Sequence, residues 1–200
     1  MSPSEETQEA GRLGTYRAKR WLECTTRVVA IPWVVYEAPA MLAFARPDGR
    51  YGHFDLAGYF LSGQFKHRPL YVESKAYSSP GHQGDMYVKY LADCYYATLA
   101  FGVDRQAEFM WLTWHPFGAL SRWSELCSAS SIRDALSIHE SHLAGEEVDD
   151  ELCEQVASRL WIVVLHERQE HHLVPSAEMV ALVRQVEIAR QLEPPCSQWP

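Results

Sequence analysis

Two hundred residues with a 47% apolar fraction suit one compact domain, or a core of about 120–150 residues with an appendage. No apolar run nears the roughly 18 residues needed to cross a bilayer, and the polar, acidic start MSPSEETQEAG is wrong for a secretory signal, so the expectation is a cytoplasmic chain without membrane contact. The formal charge of −8 is uneven: residues 1–125 hold 13 basic and 13 acidic residues, whereas 126–200 hold 5 and 13. That balance argues against tight, autonomous binding to a phosphate backbone, which normally takes a basic patch. The five cysteines (Cys24, Cys94, Cys127, Cys153 and Cys196) are odd in number and scattered. They read as free thiols of a reducing compartment.

In chain order, Ser4–Cys24 reads as a helix, with Leu13, Ala18, Trp21, Leu22 and Thr25 at roughly helical spacing. Gly11 and Gly14 weaken its first half and argue for a later start. RVVAIPWVVYEAPAMLAFA, broken by Pro32 and Pro39, reads as an irregular entry followed by a strand near 40–46. Arg46-Pro47-Asp48-Gly49-Arg50 is a turn in which Pro presets φ, Asp closes a local hydrogen bond and Gly accepts positive φ. It joins that strand to a second over Gly52–Leu61. SGQFKHR then leads to a third, Pro69–Tyr77, whose alternation puts Tyr71, Glu73, Lys75 and Tyr77 on one face. After the loop SSPGHQG come a helix over Asp85–Phe101, stopped by Gly102, and a strand over Glu108–His115. Beyond it, residues 119–145 read as mostly helical and EEVDDELCEQ as the start of another helix. Leu160–Leu165 reads as a short strand and Ser176–Leu192 as a final helix.

The chemistry concentrates on the second and third strands. Glu73 and Lys75, two apart, leave one face. Asp55 lies inside the apolar phrase HFDLAGYFL, where an unpartnered charge costs several kcal/mol to bury. If the strands pair, Asp55 and Glu73 converge, and a divalent cation relieves their repulsion. Oxygen ligands favour Mg²⁺ or Mn²⁺ over zinc, with the Ser74 carbonyl a natural third ligand. Such an ion makes water a better nucleophile and stabilises charge on a phosphoryl oxygen, while Lys75 orients the attacking water or stabilises the developing charge. The bland alternative is a cross-strand ion pair of Asp55 with Lys75, leaving Glu73 solvated.

Asp55, seventeen residues, then Glu73-Ser74-Lys75 resembles the PD-(D/E)xK nuclease superfamily, which includes restriction endonucleases and Holliday-junction resolvases. The resemblance implies an α/β fold with a restriction-endonuclease-like α-β-β-β-α-β core over residues 1–118. An acidic, mostly helical extension, 119–200, would then pack on or beside it. It also implies metal-dependent phosphodiester hydrolysis, with DNA favoured over RNA, in restriction, repair or defence. Asp55 and Glu73 would hold the metal, Lys75 would assist the nucleophile, and Gln83, at the mouth of the next helix, would position water or phosphate. Two departures stand out. The first helix shows no acid at a clearly matching position, Glu9 and Glu23 being the nearest substitutes, and Phe54 replaces the proline before the first acid. An alternative is a non-catalytic interaction subunit that keeps this fold and binds a protein partner, or itself, through the acidic part.

Other signals carry less. Cys127, His139, His142 and Cys153 have a zinc-like order without a tight Cys pair, and His139-Glu140-Ser141-His142 is one residue short of H-E-x-x-H. His166, His171 and His172 read as a solvated loop. Tyr87, Tyr90, Tyr95 and Tyr96 could stack bases but read as core and rim. No glycine-rich phosphate loop and no G-x-S-x-G elbow occurs.

Overall fold

The computed structural model describes residues 3–26, 29–76, 82–117, 120–173 and 176–192. Among the described residues it is a mixed α/β structure with six α-helices, a five-stranded sheet and a separate two-stranded one. Helix α1 spans Pro3–Trp21 and widens into a π-helical turn over Leu22–Thr26. It runs through both glycines, against the later start expected from them. The reason is contact: a Cβ on Gly14 would lie 2.5 Å from that of Ala76, so glycine there lets α1 approach the sheet closely.

Strand β1 is Val29–Val34, in the stretch expected to be irregular. Its Pro32 is exposed on an edge strand, where the missing N–H costs no ladder bond, and the register shifts between Ala30 and Trp33. The strand expected near 40–46 is β2, Ala43–Ala45, but it does not join the main sheet. It forms a separate hairpin with β3, Tyr51–His53, through the expected turn. There Arg46 N–H donates to the Arg50 carbonyl at 2.8 Å, Arg50 N–H to Asp48 Oδ1 at 2.9 Å, and Gly49 takes φ +79°. The expected single strand Gly52–Leu61 therefore breaks at Phe54–Asp55, and β4, Leu56–Phe60, begins afterwards.

Strand β5 is Pro69–Lys75, with the end of the expected strand, Tyr77, outside the described residues. Helix α2 runs Gln83–Phe101 and β6 runs Glu108–Thr113, two residues short of expectation. The acidic second half supplies α3 (Ala129–Ile138), α4 (Asp150–Ala157), β7 (Leu160–Val164), α5 (Glu167–Leu173) and α6 (Ala177–Leu192). Helix α5 stands where a loop around the histidines was expected; the exchange of α5 Glu170 with Arg17 and Trp114 ties it to the core. Strand β7 is the fifth strand of the main sheet, so the two halves of the chain share one sheet.

The sheet order is β1-β4-β5-β6-β7, antiparallel across the first three strands and parallel across the last three. Alternation divides the core into two layers. Leu56, Leu70, Val72 and Leu112 meet Ala18 of α1 and Leu22 of the turn after it on one face. On the other, Tyr71, Phe109 and Trp111 meet α2, which is backed by Ile132 and Leu136 of α3 and Val156 of α4. At Gly58 in β4 an added Cβ would lie 1.8 Å from the Ala30 carbonyl oxygen, so β1 and β4 close only around a hydrogen. Gly58→Ala is expected to cost about 1–3 kcal/mol by overpacking, seen as a melting temperature several degrees lower. An unchanged melting temperature would show that β1 yields freely.

Candidate metal and active site

Asp55 owes its position to two attachments. Its N–H donates to the Val72 carbonyl at 3.1 Å and its carbonyl accepts from Val35 N–H at 3.0 Å, pinning the break between β3 and β4 to both neighbouring strands. The hairpin before it is clamped onto α2. Arg46 donates twice to Asp93 Oδ1, at 3.0 and 2.7 Å, and Lys89 donates to Asp93 Oδ2 at 2.6 Å. At the turn, His142 Nδ1 lies 2.6 Å from Asp48 Oδ2 and holds that carboxyl below its ordinary range. Phe54 packs between Phe44 and Tyr71, and the next residue is thereby fixed.

The Asp55 carboxylate turns toward β5. Oδ2 accepts from Ser74 N–H at 2.8 Å and from the Ser74 hydroxyl at 3.2 Å. Ser74 lies between Glu73 and Lys75, so the carboxylate meets β5 in the plane of the sheet, where those two side chains leave its α2 face. In a strand the N–H and C=O of one residue leave the same edge, so the Ser74 carbonyl faces the Asp55 side. Lys75 Nζ donates to Glu73 Oε1 at 2.6 Å and sits 5.7 Å from the centroid of the Trp111 ring. Glu73 is 21% exposed and Lys75 15%. Burial, and secondly the negative charge of Asp55, push the Glu73 carboxyl up to about 7 despite the opposing pull of Lys75. Glu73 is therefore not the solvated residue of the ion-pair alternative.

Gln83 is the first residue of α2 and is fully buried. Its Oε1 accepts from the Thr113 hydroxyl at 2.7 Å, and that hydroxyl lies 3.2 Å from the Lys75 carbonyl. Gln83 thus braces the ends of β5 and β6 from below rather than facing solvent beside the acids; its Nε2 is buried without a hydrogen-bond partner. Neither acid proposed for α1 comes to the site. Glu9 pairs with Arg12 on the surface, and Glu23 is tied to Lys19 and to Ile31 N–H. Toward Ser74, α1 presents Thr15, buried, 3.4 Å from the Ser74 hydroxyl.

Tyr36 is the residue that sequence reading missed. It follows Val35, the residue bonded to Asp55, and its hydroxyl lies 3.4 Å from where a Cβ on Gly11 would stand. Partial burial and the nearby Asp55 charge raise its phenol pKa, with Thr15 and Lys75 acting the other way. The ring is 48% exposed, so it forms a wall of the site open to solvent. The signal in the sequence was Gly11, a glycine on a helix that leaves room for the Tyr36 hydroxyl.

The remaining candidates serve the fold. Tyr87, Tyr90, Tyr95 and Tyr96 are all buried. Cys127 contacts Tyr87, Cys153 is buried, and His139 stacks on His142 with centroids 6.0 Å apart. Among the described residues no group of three or more His, Cys, Asp or Glu is arranged to hold a metal, and no helix is long and apolar enough to cross a membrane. No protein-family model matches this chain, and comparison with curated proteins and with solved structures finds no match.

Proposed function

We propose that this chain is a metal-dependent nuclease that hydrolyses phosphodiester bonds, with DNA the favoured substrate. The observation that carries the reading is the Asp55 carboxylate seated on Ser74, between Glu73 and Lys75, close enough to raise the Glu73 pKa. The order α1-β1-β4-β5-α2-β6 supports it, since it follows the α-β-β-β-α-β core of PD-(D/E)xK nucleases once the β2–β3 hairpin is taken as an insertion. Asp55, Glu73 and the Ser74 carbonyl would hold the ion. They are hard oxygen donors suited to Mg²⁺ or Mn²⁺, and two mutually repelling acids favour a cation. When bound, the ion supplies Lewis-acid stabilisation of the phosphoryl oxygen and lowers the pKa of the attacking water.

The protein's own groups do the rest. Lys75, held by Glu73 and the Trp111 ring, stabilises negative charge as it builds on phosphate. Tyr36 donates a hydrogen bond from its phenol to a phosphate oxygen from the α1 side and keeps its proton, its pKa being raised. Gln83 and Thr113 keep the end of β5 in place.

Plasmid DNA with Mg²⁺ or Mn²⁺ tests this. The wild-type chain nicks it, and Asp55→Asn and Glu73→Gln do not. Tyr36→Phe is expected to cleave roughly 10–100-fold more slowly, the worth of one hydrogen bond to a charged group; an unchanged rate removes Tyr36 from the site. The second reading, a non-catalytic interaction subunit, is favoured by one feature of α6. Met179, Leu182 and Val186, at helical spacing, are about half exposed. Absence of both cleavage and calorimetric metal binding would select it.

A further inference from the structure

The end of the parallel strands remote from the acids carries a polar cleft of about 420 Å³, where α4 turns into β7 and Gln106 leads into β6. Strand β6 alone, Glu108–Thr113, spans about 17 Å between that end and Thr113, the partner of Lys75. Arg159 lines the cleft, and its backbone is fixed on both sides. Its N–H donates to the Val156 carbonyl and its own carbonyl accepts from Phe109 N–H, each at 2.9 Å. Its Nε donates to the Gln155 carbonyl at 2.9 Å and closes the end of α4.

The outer part of that guanidinium is unused. Among the described residues Nη1 and Nη2 donate to nothing, although Arg159 is only 6% exposed. Neither atom is sealed inside the protein, so this end of the side chain is what reaches the cleft. A buried charge without a partner is costly, and burial lowers the Arg159 pKa against the opposing pull of Glu108. That acid is already engaged. Glu108, 1% exposed, accepts from Arg68 Nη1 at 2.8 Å on one oxygen and from Trp161 Nε1 at 2.7 Å on the other. Arg68 lines the same cleft, and its Nη2 donates to no described residue. The one acid among the described lining residues, Asp104, is exposed, so water screens it.

We propose that this cleft binds a phosphate monoester of a small polyhydroxylated molecule, its phosphate held by Arg159 and Arg68. A guanidinium fork matches the spacing of phosphate oxygens and gives charge-assisted hydrogen bonds. Gln106, Gln155 and Ser158 add amide and hydroxyl groups, and no aromatic ring is among the described lining residues. That lining suits hydroxyls rather than a stacked base, in a volume typical of small-molecule sites. A free sugar phosphate and the 5′-phosphorylated end of a nucleic-acid strand share this chemistry. The site is independent of the hydrolytic reading, because neither Asp55 nor Glu73 borders it.

Calorimetric titration of the full chain in EDTA and low salt tests it with ribose 5-phosphate, inorganic phosphate and ribose. Ribose 5-phosphate is expected to bind more tightly than either part alone. Arg159→Met should weaken it by about 10–100-fold, the worth of a hydrogen bond to a charged group. The same variant should melt no lower than the wild type in phosphate-free buffer, because it removes an unpartnered charge. A merely structural Arg159 gives the reverse, a lower melting temperature with binding intact. Ser158→Glu, at an exposed position, sets a negative charge beside the phosphate and should weaken binding even if Arg159→Met does not fold. Equal binding of a 5′-phosphorylated oligonucleotide, with its unphosphorylated twin silent, identifies a strand end as the source. Binding of neither oligonucleotide identifies the free sugar phosphate. No heat with ribose 5-phosphate at millimolar concentration, or affinity indifferent to both variants, overturns the proposal.

Discussion

Glu73→Gln is expected to be more stable than the wild-type chain at pH 8, by an amount that vanishes toward pH 4. The carboxyl is raised from 4.5 to about 7 in the folded state, chiefly by burial and then by Asp55. A raised acid holds its proton more tightly when folded, so its contribution is fully present below pH 4.5 and is lost as pH rises through about 7. The span corresponds to on the order of 3 kcal/mol at alkaline pH, or up to about 10 °C in melting temperature for a chain of this size. Glutamine keeps an oxygen for Lys75 while removing the charge that Asp55 repels. Mg²⁺ should reverse the ranking: it raises the melting temperature of the wild type, with release of a proton near pH 7, and does little for the variant. Equal melting temperatures at pH 4 and pH 8, with and without Mg²⁺, would mean that Glu73 stores no such repulsion.

The second large effect has two parts of opposite sign. Lys75→Ala is expected to slow DNA cleavage roughly 10²–10³-fold, the measured worth of a charge-stabilising donor in other active sites. The same change should tighten divalent-cation binding. Lys75 Nζ is 2.6 Å from Glu73 Oε1 and competes with any cation for that oxygen. Its removal leaves Glu73 without its nearest counter-charge. Calorimetric titration with Mg²⁺ or Mn²⁺, beside single-turnover cleavage of a plasmid, separates the two. If affinity and rate fall together, Lys75 merely holds the strand in shape.

Much of the fold's alphabet was readable before its grammar. The turn at 46–50 was legible because Pro, Asp and Gly each force one torsion or one hydrogen bond locally. Strand β5 and helix α2 were legible because their apolar residues repeat at periods of two and 3.6. The identity of the first sheet strand was not. Pro32 looked like a break, and only the position of β1 at the sheet edge makes that proline harmless. The hairpin β2–β3 looked like part of the meander, because a local pattern carries no information about which strand lies across from it.

The candidate site divides in the same way. Glu73 and Lys75 share a face by the two-residue period alone, and Asp55 drew notice as a charge in an apolar phrase. Those facts belong to the sequence, because they follow from bond geometry and the cost of desolvation. Tertiary structure alone decided that Asp55 ends on the Ser74 N–H, that Gln83 lies under the strand ends rather than at the surface, and that Thr15 and Tyr36 stand beside Ser74 and Asp55. Each of these depends on two or three elements brought together from 19 to 59 residues apart. Local propensity cannot encode such distances; the packing of α1 and the β2–β3 hairpin against the sheet does.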